Sequence, residues 1–96
     1  MLVLITYDIS TETVAAKKRL NKIAKICKSK GQRVQNSCFE CFIDWGSWLD
    51  LKQKLLFVIN KKEDSIRFYL LGNRWKNRVE HIGTKITYTP EDTLIV

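Results

Sequence analysis

Apolar positions follow two rhythms along this chain. Leu2, Val3, Leu4 and Ile5 run on from Met1 without a break, and Thr6, Tyr7 and Asp8 close the run. A short continuous apolar run with a polar end predicts a buried strand over residues 2–8. The period then changes. Val14, Ala16, Leu20, Ile23, Ala24 and Cys27 recur at helical spacing, and lysines fill most of the other positions. Ser10 or Thr11 can cap this helix, Glu12 lies near its positive end, and Gly31 is placed to stop it. Gln32–Gln35 reads as a short strand, Asn36-Ser37 as a turn, and residues 38–43 as a second, mostly buried strand. After a break at Asp44–Ser47, with Ser47 as a cap, Leu49, Leu51, Leu55, Leu56 and Ile59 predict a helix from about 47 to 60. Residues 61–64 form a polar connection. Residues 65–71 form a strand with Ile66, Phe68 and Leu70 on one face, and Gly72-Asn73 ends it.

The order is βαββαβ, which predicts an α+β, ferredoxin-like sandwich with two helices on one face of a four-stranded antiparallel sheet. Strand one is apolar on both sides, more than a sheet covered on one face needs. A second copy of the chain is the simplest cover, so a homodimer is expected. Thr84–Thr89 alternates weakly, like an edge strand, and Leu94-Ile95-Val96 is a short apolar end suited to docking on its own sheet or a partner's edge. The organisation read here is one domain over 1–96, with a core at about 1–72 and a dimer-associated C-terminal extension at about 73–96, including a short strand.

Length and composition narrow the classes. A chain of 96 residues buries a modest fraction of its surface, which keeps oligomerisation in view. No run approaches the roughly 18–20 apolar residues of a membrane span, and the N-terminus has no basic region of a signal peptide, so the reading is a cytoplasmic protein with no membrane partner. Three cysteines, Cys27, Cys38 and Cys41, argue against a disulfide scaffold. Cys38 and Cys41 have metal-like spacing, but three residues apart in a strand they face opposite sides, and they read as small core residues.

Charge changes the picture more. The net charge is +7, and residues 1–33 hold eight basic side chains against Asp8 and Glu12. A concentrated cationic field favours a polyanion such as nucleic acid, the plain alternative being a solvated lysine face. Lys17, Lys18, Arg19, Lys22 and Arg33 are the candidate phosphate contacts. Binding through them should ignore sequence and weaken with salt. Arg74–Arg78 interleaves charge with Trp75, which either tucks onto the core or stacks on a base. One histidine, His81, and scattered glycines exclude a readable nucleophile–base pair or phosphate loop.

Asp8 remains as a chemical candidate, against the simpler role of a turn or cap residue. Mg²⁺ commonly takes one or two carboxylates with water and phosphate completing its shell. One Asp8 is a poor site, but two copies near a two-fold axis supply two carboxylates. Such an ion polarises a phosphodiester and lowers the pKa of water, and Arg19 and Arg33 offer guanidinium forks for the phosphate.

Several segments then resemble a known family. Thr6-Tyr7-Asp8-Ile9-Ser10, Arg19-Leu20-Asn21-Lys22 and the stretch from Gly31 to Glu40 are similar to the small CRISPR-associated adaptation proteins, the Cas-two family. Tyr69–Gly72 and Val79–Gly83 resemble its type I-C branch. The resemblance spans essentially the whole chain. It implies a ferredoxin-like homodimer and a metal-dependent endonuclease on RNA or double-stranded DNA, with Mg²⁺ or possibly Mn²⁺. It also implies a complex with the Cas-one integrase, in which the dimer is mainly a platform along duplex DNA during spacer acquisition. By position, Asp8 matches the metal-binding aspartate, Arg19 and Arg33 match basic positions near it, with Arg33 read as catalytic beside Asp8, and Phe39 matches an aromatic just after the second strand. Ser37 fits the pattern, while Cys38 stands where valine is more usual. Two readings follow: a nuclease using paired Asp8 residues, or a non-catalytic scaffold of the integrase complex.

Overall fold

The apolar opening run forms β1 (Leu2–Asp8), one of the two inner strands of a four-stranded sheet ordered β2-β3-β1-β4. Its companions are β2 (Gln32–Gln35), β3 (Cys38–Phe42) and β4 (Ser65–Gly72), and every neighbouring pair is antiparallel. α1 (Val14–Lys30) joins β1 to β2 with β3 between them, and α2 (Trp45–Val58) joins β3 to β4 with β1 between them. The computed structural model describes residues 1–75, 78, 80 and 82. The expected strand at 84–89, the apolar end at 94–96 and His81 lie outside the described residues.

Register assigns the two faces. Val3, Ile5 and Tyr7 of β1 are paired with Cys41 and Phe39 of β3 or with Leu70, Phe68 and Ile66 of β4. This is the helix-covered face, where Phe39 and Cys41 join Ala16, Ile23 and Cys27 of α1 and Trp48, Leu51 and Leu55 of α2 in one buried cluster. Burial of side chains of this size contributes about 1.5–3 kcal/mol each before entropy is set against it. The alternate positions Leu2, Leu4, Thr6 and Asp8 point to the other face. There Leu4, Thr6, Cys38 and Glu40 are only partly covered, and Phe42 and Tyr69 are exposed. Trp75 is buried and meets the Phe42 ring edge-on at 6.0 Å, so it packs against the Leu2–Phe42 end of this face. Gly72, at φ 73°, supplies the turn that begins this return.

Helix starts differ from the sequence reading. Thr13, not Ser10 or Thr11, caps α1: its hydroxyl accepts from the Ala16 amide at 3.0 Å. Val14 consequently sits in the first turn, ahead of the packed stretch, and is exposed. Asp44, not Ser47, caps α2 by accepting from the Ser47 amide at 2.7 Å, and the helix starts two residues earlier than expected. Its inward face then follows Trp48, Leu51 and Leu55, leaving Leu49 and Leu56 on the flank. α2 also ends at Val58, short of Ile59, which is its extended C-cap.

Gly31 alone separates α1 from β2, and its backbone is extended rather than left-handed. It is glycine for space. A Cβ there would collide with Cys41 Sγ and stand 2.5 Å from the Glu40 carbonyl oxygen. On the other side of the layer, Arg19 ties α1 to the connection before β4. Its Nε donates to Asp64 Oδ2 at 2.8 Å, and its terminal nitrogen donates to Asp64 Oδ1 at 3.2 Å and Glu63 Oε2 at 3.0 Å. Asp64 also accepts from the Asn60 amide at 2.9 Å, so the loop closes around it.

Candidate metal and nucleic-acid site

Asp8 ends β1 opposite Ser65 of β4, exposed, on the face away from the helices. Its carboxylate has no hydrogen bond or ion pair among the described residues, unlike Asp44, which caps α2, and Asp64, which holds Arg19. The turn or cap role is therefore not what the side chain does among these residues. No cluster of three or more His, Cys, Asp or Glu side chains suited to a metal occurs among the described residues. Asp8 therefore stands without a second metal-ligating side chain grouped with it among the described residues. That donor set fits Mg²⁺ only with a second carboxylate and with water or phosphate oxygens.

Arg33 is not beside Asp8 within one chain. It pairs with Phe39 across β2 and β3, which places it on the helix-covered face, while Asp8 lies on the open face and two strands away. Its guanidinium carbon stands 5.2 Å from the Phe39 ring centre, a cation–π contact. It also approaches Tyr7, which stacks near Phe39 at 6.2 Å. Burial, chiefly, pushes the Tyr7 phenol above its ordinary value, with Cys27 adding to the effect and Arg33 opposing it. Phe39 itself follows β2 in the chain and is fully buried inside β3.

Arg19 is committed to Asp64 and Glu63, and both carboxylates lie in a segment that reads from sequence as a mere polar connection. Lys17, Lys18 and Lys22 are exposed on α1. Lys18 and Lys22, four apart, share the side that turns toward α2, while Lys17 lies about 100° around the helix from Lys18. The cationic surface therefore belongs to the helix layer and Asp8 to the sheet's other face. The cysteines are set apart from this chemistry: burial pushes the Cys27 and Cys41 thiols up to about 12, and Cys38 is raised for the same reason on the open face. No helix among the described residues is long and apolar enough to cross a membrane.

Comparison with known proteins places the chain in a family. The family model for the CRISPR associated protein Cas2 matches residues 1–79. The chain is 53% identical over 96 residues to a CRISPR-associated endoribonuclease Cas2 of Chlorobaculum tepidum, covering all of both chains. It is 52% identical over 95 residues to a CRISPR-associated endonuclease Cas2 of Halalkalibacterium halodurans, covering 99% of each. The crystal structure of Streptococcus pyogenes Cas2 superposes with a TM-score of 0.75 at 54% identity, over 86% of this chain and 100% of that one. The family model and these relatives show that the chain belongs to the Cas2 family of CRISPR-associated proteins.

Proposed function

We propose that this chain is a metal-dependent endonuclease of CRISPR defence that cleaves phosphodiester bonds in RNA or double-stranded DNA. The observation that carries this reading is Asp8, an exposed carboxylate left unpaired among the described residues at the tip of a buried strand. The names of the relatives, endoribonuclease and endonuclease, support it. Asp8 from two copies would hold the ion, Mg²⁺ or Mn²⁺. When bound, that ion supplies Lewis-acid polarisation of the phosphodiester and a water nucleophile at neutral pH. The chain's own lysines draw the substrate in by charge.

Two copies are needed for this site, and the open face supports such pairing. A ferredoxin-like homodimer packed sheet against sheet covers Leu4, Phe42 and Tyr69, and brings the Asp8 strand ends toward a common axis. Light scattering at micromolar concentration is expected to give twice the chain mass, and a monomer overturns the shared site.

The separation of Asp8 from the lysine-covered helices favours a second reading. The dimer binds duplex DNA as a structural platform for the Cas-one integrase during spacer acquisition, with no cleavage of its own. Matched single- and double-stranded RNA and DNA substrates, incubated with Mg²⁺, Mn²⁺ or EDTA, separate the two. Cleavage that stops with EDTA supports the nuclease, whereas duplex binding without cleavage in any metal supports the platform.

A further inference from the structure

Phe57 is the most exposed large apolar residue described, 91% accessible, although it lies in the last full turn of α2. It takes no part in the core, because Trp48, Leu51 and Leu55 form the inward face of that helix. Its ring is instead the wall between two grooves at the α1–α2 junction. One, of about 450 Å³, is lined by Lys18, Arg19, Asn21 and Lys22 of α1, with Val58 beside Phe57. The other, of about 340 Å³, contains Ile26 and the paired Asp50 and Lys54. The first groove lies within the roughly 300–1,000 Å³ range of small-ligand sites. Its cations are free to act. Lys18 and Lys22 are exposed and have no carboxylate partner among the described residues, whereas Arg19, between them in the lining, is neutralised by Asp64 and Glu63.

An accessible ring flanked by two unpaired lysines on a helix without a single acidic residue suits a ligand that alternates planar apolar groups with anions. Unpaired nucleotides have this pattern, since each base offers a π-face and each linkage a phosphate. A paired duplex hides its base faces and could engage only the lysines. We infer that the groove between α1 and the end of α2 is a binding site for unpaired nucleotides, with a base stacked on Phe57 and the flanking phosphates held by Lys18 and Lys22. This inference rests on the nucleic-acid reading above. It adds a site on the helix layer, on the opposite side of the sheet from Asp8.

The test uses the full chain, a single-stranded oligonucleotide carrying 2-aminopurine, and a blunt duplex of equal length. Phe57→Leu keeps an apolar side chain and removes the ring at a solvent-exposed position, so folding is not at stake. It is expected to weaken single-strand affinity about tenfold and to abolish the stacking-induced quench of 2-aminopurine, with blunt-duplex affinity unchanged. Lys22→Ala is expected to weaken both substrates and to lower the salt slope by about one. Equal single-strand affinity and quench in wild type and Phe57→Leu, with duplex binding intact, overturns the groove site alone. Failure of wild type to bind either oligonucleotide overturns the groove site and the nucleic-acid reading together. A Phe57-dependent affinity for an acidic peptide in place of the oligonucleotide assigns the groove to a protein partner and overturns the inference.

Discussion

Asp8→Asn is expected to lower metal-dependent cleavage by on the order of a hundredfold or more while leaving the unfolding midpoint in place. The substitution keeps the size of the side chain and removes its charge. Asp8 is exposed and makes no hydrogen bond or ion pair with a described residue, so folding should lose little by it. The proposed site loses two charges, one from each copy, and an uncharged amide is a weak ligand for Mg²⁺. The cleavage rate should fall, Mg²⁺ affinity measured by calorimetry should fall with it, and light scattering should still report the wild-type mass. Cleavage at the wild-type rate by the purified variant places the activity elsewhere.

A large effect on stability is expected at Asp64, outside the apolar core. Its side chain is 1% exposed and accepts two hydrogen bonds from Arg19 and one from the Asn60 amide. Asp64→Ala removes all three and leaves Arg19 with Glu63, whose side chain is 61% exposed and whose ion pair is screened by solvent. The cost is about 2 kcal/mol, on the order of 10 °C in Tm for a domain of this size. The pH dependence has a definite sign. The hydrogen bond from Arg19, chiefly, holds the folded Asp64 carboxyl below its ordinary value, while burial opposes it. The unfolded chain titrates this group near about 3.9. Its contribution is therefore complete above that value and is lost as pH falls through the lower, folded one. Urea midpoints of wild type and Asp64→Asn should differ by a constant amount from pH 6 to 8 and converge below about pH 4. Equal midpoints at pH 7 would show that the clamp is dispensable.

How far these features can be read from sequence depends on the range of the interaction. The strands at 2–8, 32–35 and 38–42 and both helices are marked by local runs, periods and turns, and their order alone gives a four-stranded α+β arrangement. The caps are less legible. Ser10, Thr11 and Thr13 are all competent, and the choice depends on where α1 first meets the sheet. Trp48 and Leu49 are adjacent apolar residues, and which of them points inward follows from the helix starting at Trp45. Arg19 shows the stronger limit. Its cationic character is plain in the sequence, but the partner that occupies it lies 45 positions away. Asp8 stands out because a lone carboxylate ends an apolar run, whereas its separation from Arg33 emerges only once register gives each strand its face. Phe57 offers one local clue: at helical spacing it falls outside the face defined by Leu51 and Leu55.

The single-residue link at Gly31 has a kinetic consequence. With Lys30 ending the helix, Gln32 beginning the strand and β3 pressed against the residue between them, the C-terminal end of α1 cannot swing relative to the sheet. Arg19 restrains the same helix toward its other end. The lysines are carried on a helix whose backbone is fixed before any ligand arrives, so the ordering entropy of the encounter is confined to their side chains. Association is then governed by diffusion in the protein's field and by ionic strength, and the lifetime of the complex by how many phosphates the lysines meet at once.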